Sequence, residues 1–458
     1  MRLPLVPRLP LLLAAIVLSV LPAALATPLD DYVAKPDPAF SFDPKPAREE
    51  DKGAFTARAY KMVSQEWLDA SKVDRTKWEH WVVITTPKTV EHPDHALLFI
   101  GGGGNGGDAP GGDGALGQVA VVTKSVVVEI KQIPNQPLHF PDEAMEKYKA
   151  PGREEDEMIT YAWDKFLVTQ DPLWLPRLPM TKAVVRAMDV AQAVVPEIKH
   201  FLVCGGSKRG WTTWTTAIVD KRVSAIAPAV IDVLNVTKSL DNHFASYGFW
   251  APAVGNYEEM KIMARMHTPE VEALRKVVDP YCYLDRLTMP KYIINSAGDQ
   301  FFPADSWKFY FDDLQGEKYL RYVPNTDHGL NAEAYFNMAA FYATVRAGTP
   351  RPKFTWKRNT DDGSLEVACE TAPKKVLLWQ ATNPEGRDFR MEKIGKAYTS
   401  APAAESAPGV YRADVKAPEK GWTAFFLEME FENTAGTLPL KFTTGVSVVP
   451  DTYPGVKQ

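Results

Sequence analysis

Phe201-Leu202-Val203-Cys204-Gly205-Gly206-Ser207-Lys208-Arg209-Gly210-Trp211 is the stretch on which the fold turns. An apolar run, a glycine pair and a serine lead into a segment with Trp211, Trp214 and Ile218 at i, i+3 and i+7. That is the pattern of a buried strand turning sharply into an amphipathic helix. A serine on such a turn stands exposed above the end of a sheet, the setting of a nucleophile elbow. The spacing is G-x-S-x-x-G, not G-x-S-x-G, and Arg209 stands where a small residue is usual. The same residues also fit a plainer role, Ser207 as the N-cap of the helix.

Strands and helices alternate on both sides of this turn. Upstream, strands fall at 59–68, 78–86, 96–100 and 125–130, with helices at 115–124, 154–168 and 181–195. Downstream come a helix at 208–220 and strands at 223–230, 291–296 and 318–323. This alternation predicts a mostly parallel sheet with helices on both faces, and with the elbow it predicts an α/β-hydrolase fold. From about residue 349 the period changes to two, as in Leu427, Met429 and Phe431 against Glu428 and Glu430. Short alternating runs broken by Pro and Gly predict an all-β sandwich. The expected division is a leader at 1–26, a hydrolase domain at 27–348 and a C-terminal β-sandwich domain at 349–458.

A serine needs a base, and the base an orienting group. In this fold the order along the chain is serine, acid, histidine, each beyond a strand end. Asp299 follows the strand 291–296, and His328 follows the strand 318–323. Asp232, just past the strand after the elbow helix, is the rival acid, and His243 is the rival base. The other histidines, His80, His92, His95, His139, His200 and His267, fall in the wrong order. Asp327 reads as a turn residue. Stabilising an oxyanion takes two or more N–H donors. Lys208, at the start of its helix, supplies one, and Gly102 and Gly103 in the run Gly101-Gly102-Gly103-Gly104 are the candidates for the other. Lys208 and Arg209 oppose the helix dipole, which suggests that one of them meets a carboxylate or phosphate on the substrate; a solvated surface pair is the alternative.

Composition narrows the field. Net charge is −5 from 52 basic and 57 acidic residues, which argues against a broad basic face for nucleic acid. The first 26 residues read as an export leader: Arg2 and Arg8, an apolar run from Leu9 to Val20, and Ala24-Leu25-Ala26 before Thr27. An uncleaved anchor is the alternative. No other stretch approaches a membrane span, so no stable membrane insertion is expected after cleavage. The three cysteines, Cys204, Cys282 and Cys369, lie too far apart for a metal motif and read as small buried apolar residues. No cofactor and no metal are expected.

Four longer motifs resemble the PhoPQ-activated pathogenicity-related family. They are Gly205-Gly206-Ser207-Lys208-Arg209-Gly210-Trp211-Thr212-Thr213-Trp214, Asp285-Arg286-Leu287-Thr288-Met289-Pro290-Lys291, Gly298-Asp299-Gln300-Phe301-Phe302 and Arg321-Tyr322-Val323-Pro324-Asn325-Thr326-Asp327-His328. Leu29-Asp30-Asp31-Tyr32-Val33-Ala34-Lys35-Pro36 resembles the start of its mature chains. The resemblance implies an exported α/β-hydrolase-like protein. It leaves the substrate open. The expectation is a secreted or periplasmic serine hydrolase acting on an ester, acidic or sugar-linked. A dipeptidyl-type peptidase and a non-catalytic binding or signalling protein on the same fold are the alternatives. The partner in each case is a small-molecule, peptide or glycan ligand.

Overall fold

Eight strands from Phe55 to Val323 build the sheet that carries the elbow. They are β1 (Phe55–Glu66), β2 (Lys77–Pro87), β3 (His95–Ile100), β4 (Val126–Ile130), β5 (His200–Gly206), β6 (Val223–Ala229), β7 (Lys291–Ser296) and β8 (Lys318–Val323). Their spatial order is β1-β2-β4-β3-β5-β6-β7-β8, antiparallel from β1 to β4 and parallel from there on. This is the strand order of an α/β-hydrolase, and the chain adopts that fold. The computed structural model describes residues 26–359 and 363–455, so all of the leader but Ala26 lies outside the described residues.

Both faces of the sheet are apolar because β3 to β8 are covered on both sides, and the period-two rule sorts their side chains. Leu97, Val127, Leu202 and Cys204 pack with α1 (Gly114–Thr123) on one face. Leu98, Val128 and Val203 pack on the other with α2 (Glu155–Thr169), α3 (Arg177–Val194) and α4 (Lys208–Val219). Trp214 of α4 is fully buried there. Between β6 and β7 the chain leaves the sheet for about sixty residues, forming α5 (Val236–Tyr247) and α6 (Pro269–Val278) over the strand ends. After β8 comes α7 (Ala332–Ala347), which joins α1 on its face and is closed by Gly348 in the left-handed region.

The C-terminal strands do two different things. β9 (Phe354–Arg358), β10 (Leu365–Cys369), β13 (Ala404–Ala407) and β14 (Val410–Ala413) form a separate antiparallel sheet in the order β9-β10-β14-β13. β11 (Lys375–Asn383), β12 (Thr399–Pro402), β15 (Trp422–Phe431) and β16 (Leu440–Thr443) instead extend the central sheet beyond β8. The junction is antiparallel, Leu320 opposite Thr443, and the Tyr322 N–H donates to Thr443 Oγ1 at 2.9 Å. Arg321 of β8 is buried and reaches Glu428 of β15 at 2.5 Å, Glu333 of α7 at 2.9 Å and Asn337 Oδ1 at 2.9 Å. Leu365, Val367, Phe425 and Leu427 then close one core with Phe341 and Tyr342 of α7. Of the cysteines, Cys204 is buried as expected, but Cys282 is exposed and Cys369 half-buried, because Cys282 sits in a surface 3-10 turn; all three are free.

Candidate active site

Ser207 sits between β5 and α4 at φ 57 and ψ −127, a backbone conformation that L-residues rarely adopt. Two bonds hold it there: its N–H donates to Ala229 O at 2.9 Å, and its carbonyl accepts from Trp211 N–H at 2.9 Å. The glycines around it permit the close strand-to-helix approach. A Cβ on Gly210 would lie 2.8 Å from Ala229 O and 2.9 Å from Gly205 O, and one on Gly205 would lie 2.9 Å from Arg209 O. Ser207 makes no side-chain cap bond. The capping role is therefore not realised, and Ser207 lines two cavities.

The loops after β7 and β8 are stitched together before either offers a functional group. Ser296 Oγ donates to Thr326 O at 2.7 Å and accepts from Gly298 N–H at 3.0 Å. Across this stitch the His328 N–H donates to Gln300 Oε1 at 2.7 Å. His328 Nδ1 lies 2.8 Å from Asp299 Oδ2 and 3.0 Å from Oδ1, and Oδ1 also accepts from Phe301 N–H at 2.7 Å. The Phe301 ring packs 4.3 Å from the imidazole, centre to centre. With Nδ1 donating to the carboxylate, Nε2 is left as the acceptor nitrogen. It is buried and has no partner among the described residues, and His328 lines the same cavity as Ser207. No hydrogen bond joins Ser207 Oγ to Nε2. Asp327 accepts from Gly329 N–H at 2.9 Å, a turn contact.

The rivals are engaged elsewhere. Asp232 is buried between Tyr310 and Tyr322, whose hydroxyls donate to its two oxygens at 2.6 and 2.5 Å. Burial pushes its carboxyl up to about 7 despite those bonds. His243 accepts from Ala251 N–H at Nε2, 3.0 Å, with Nδ1 3.2 Å from Phe301 O. Burial lowers its pKa to about 4, so it is a neutral packing residue that supports the Phe301 backbone.

The glycine run is held against the segment after β4. Gly101 O and Gly102 O accept from the N–H groups of Ile133 (3.2 Å) and Gln132 (2.9 Å), and Gln132 Nε2 donates to Gly104 O and Gly106 O, each at 3.0 Å. Gly103 has φ +121. The N–H groups of Gly102, Gly103 and Lys208 meet no acceptor among the described residues.

The structure departs from the expectation for Lys208 and Arg209 as substrate cations. Lys208 Nζ lies 2.8 Å from Glu155 and 3.1 Å from Asp156. Arg209 grips Glu155 with both terminal nitrogens and donates from Nε to Ile133 O at 2.5 Å. Burial works against the Glu155 charge, but the Arg209 hydrogen bonds and the two cations outweigh it and hold its carboxyl at about 2. A Cβ on Gly102 would come within 2.7 Å of the Arg209 guanidinium, so Arg209 acts as a brace under the glycine run. It lines neither cavity, whereas Lys208 lines one with its charge already matched.

Several residues of this region were not foreseen. Arg177 of α3 donates to Lys208 O at 2.5 Å and to Thr212 Oγ1 at 2.7 Å. Met391 N–H donates to Gly298 O at 2.9 Å, and Tyr398 and Asn325 exchange two hydrogen bonds of 2.9 Å. A segment of the C-terminal strands thus fastens both the acid and the histidine loops. The change of texture after residue 349 says nothing about where the strands dock. Among the described residues no group of His, Cys, Asp and Glu could hold a metal ion, and no helix is long and apolar enough to cross a membrane.

A family model described as PhoPQ-activated pathogenicity-related protein matches residues 29–390. The chain is 35% identical to autocrine proliferation repressor protein A of Dictyostelium discoideum, covering 97% of this chain and 94% of that one. Among solved structures it is similar to an acetyl xylan esterase from Paenibacillus sp. R4, 19% identical with a TM-score of 0.47 over 70% of this chain and 92% of that one. It is also similar to the acylaminoacyl peptidase of Pyrococcus horikoshii, 13% identical with a TM-score of 0.41 over 64% and 41%.

Proposed function

The chain belongs to the PhoPQ-activated pathogenicity-related protein family, and we propose that it is an exported serine hydrolase acting on esters. One observation carries the reading: a histidine fixed by a carboxylate at Nδ1, its Nε2 unpartnered, lines the cavity that a serine on a strained turn also lines. In the reaction, Nε2 of His328 accepts the Ser207 proton as Oγ attacks the ester carbonyl. Asp299 holds the tautomer and offsets the imidazolium charge. The oxyanion is received by the N–H of Lys208, helped by the dipole of α4, and by Gly102 or Gly103. Collapse expels the alcohol, which takes the proton from Nε2, and water then attacks the acyl-enzyme by the same route.

An aminopeptidase would need acids free to hold an amine. Glu155 and Asp156 are the adjacent pair beside the elbow helix, and both are spent on Lys208 and Arg209, with Tyr257 bonded to Asp156 as well. That favours an ester over an N-terminal peptide. The second reading, a secreted binding protein without turnover, is favoured by the absence of a bond between Ser207 and His328 and by the name of the Dictyostelium relative. Fluorophosphonate labelling of the wild type and of Ser207→Ala decides between the two. Labelling of the wild type alone supports the hydrolase; absent labelling of both supports the binding protein, and equal labelling of both would sink Ser207 as the nucleophile. Export is tested on the secreted protein, whose first residue should be Thr27.

A further inference from the structure

One of the two apolar spaces beside Ser207 runs beneath α5 and is walled by Trp163, Trp211, Val254, Phe301 and Phe302. It holds about 550 Å³ of empty space, its open mouth included. Four polar side chains besides Ser207 join this wall: Asp156, Arg177, Lys208 and Tyr257. Three are mutually satisfied. Asp156 Oδ2 takes Lys208 and Oδ1 takes the Tyr257 hydroxyl at 3.2 Å, while Glu155 serves Lys208 and Arg209 from behind. Two carboxylates therefore match two cations.

Arg177 is the third cation. It is 5% exposed and forms no ion pair among the described residues. One terminal nitrogen, Nη1, is used on Lys208 O and Thr212 Oγ1, and its guanidinium lies 4.9 Å over the Trp211 ring. Its Nε and Nη2 have no acceptor among the described residues. A buried guanidinium with open donors is costly unless something anionic meets it. Burial already lowers its pKa, to about 9. The planar fork suits a carboxylate, which it can hold with two parallel bonds.

Resting on the hydrolase reading above, we propose that Arg177 is the specificity residue of this site. The part of the ester that enters the pocket is an apolar or aryl chain that ends in a carboxylate, held by Nε and Nη2 of Arg177. The apolar walls take the chain and exclude water, and the serine meets the ester carbonyl at the other end. The sequence placed this role on Lys208 and Arg209, and in the structure Arg177 is the cation that remains to fill it.

The test is binding and does not depend on turnover. The mature Ser207→Ala chain is titrated by calorimetry with 4-phenylbutyrate and with its uncharged match, 4-phenylbutyramide. The carboxylate should bind about 10- to 100-fold more tightly, the range of a hydrogen bond to a charged group. In Ser207→Ala/Arg177→Met that ratio should fall to within about threefold of one. Val254→Trp, which enlarges an apolar side chain of the pocket wall, should remove phenylbutyrate binding and keeps the test decisive if the arginine variant does not fold. Equal affinities in the parent, no binding of either ligand below about 10 mM, or a ratio that survives either substitution would overturn the proposal. Discrimination without any esterase activity would sink the hydrolase reading and leave the anion site standing; esterase activity without discrimination would do the reverse.

Discussion

Asp299→Asn is expected to lower turnover of an activated ester by about four orders of magnitude and leave the fold intact. The size follows from what the two carboxylate oxygens already do. Oδ1 accepts from Phe301 N–H at 2.7 Å, and Oδ2 faces His328 Nδ1 at 2.8 Å. An asparagine has a single acceptor, and the Phe301 N–H cannot donate to an amide NH₂. The carbonyl oxygen is therefore held at the Oδ1 place, and the NH₂ is turned toward the imidazole. His328 must then accept at Nδ1 and carry its proton on Nε2, the nitrogen that should be the base. In serine proteases a switch to the wrong tautomer costs about 10⁴ in kcat. The assay is hydrolysis of p-nitrophenyl acetate, with the rate of fluorophosphonate labelling as a second readout and a thermal melt as the fold control. Asp232→Asn is the companion variant, since Asp232 is bonded to tyrosines and to no histidine. Turnover of Asp299→Asn within tenfold of wild type at an unchanged melting point would refute the assignment, as would an equal loss in Asp232→Asn.

Three further outcomes bear on stability. Because the folded Asp232 carboxyl titrates near 7 and the unfolded one near 4, its contribution is fully favourable below about pH 4 and is lost as pH rises through 7. Asp232→Asn should flatten urea midpoints between pH 4 and 8, and a constant offset from wild type over that range would count against it. Arg321→Met strands the buried Glu428 and should cost about 3–5 kcal/mol in urea melts, with much of it regained in Arg321→Met/Glu428→Gln; a double variant no better than the single one would exclude the unpaired charge as the cause. Gly210→Ala drives a Cβ to within 2.8 Å of backbone and should cost about 1–3 kcal/mol, read as a lower melting temperature.

The strand and helix order was legible because the central strands are short apolar runs and the helices carry their own period. Ser207, Asp299 and His328 were legible for a related reason: each follows the end of a strand that the pattern already marks, and the fold brings those ends to one edge. What lay beyond reach were pairings between distant charges. Nothing local says that Glu155 and Asp156, some fifty residues upstream, will spend themselves on Lys208 and Arg209. Arg177 opens α3 inside the apolar, proline-rich run Leu173-Trp174-Leu175-Pro176-Arg177-Leu178-Pro179-Met180, and nothing in that run names what its charge will face. The docking of β16 on β8 was hidden too, since an alternating strand looks the same on a separate sandwich as on the end of a sheet. The charged residues inside otherwise buried strands, Arg321 and Glu428, were the available hint, because such charges are stable only when they find each other.

The antiparallel joint between β8 and β16 also sets the order in which this molecule can be made. Tyr322 and Thr443 bond across 121 residues of chain, so a ribosome or a translocation pore releases Ser207, Asp299 and His328 well before the strand that completes their sheet. Until then β8 presents a bare row of amides and carbonyls, the kind of surface on which chains recruit one another. Pairing at that range is slow to form. A chain cut after α7 should therefore behave as a seed for aggregation, not as a smaller folded protein, and the last strands to emerge are the ones that make the first ones safe.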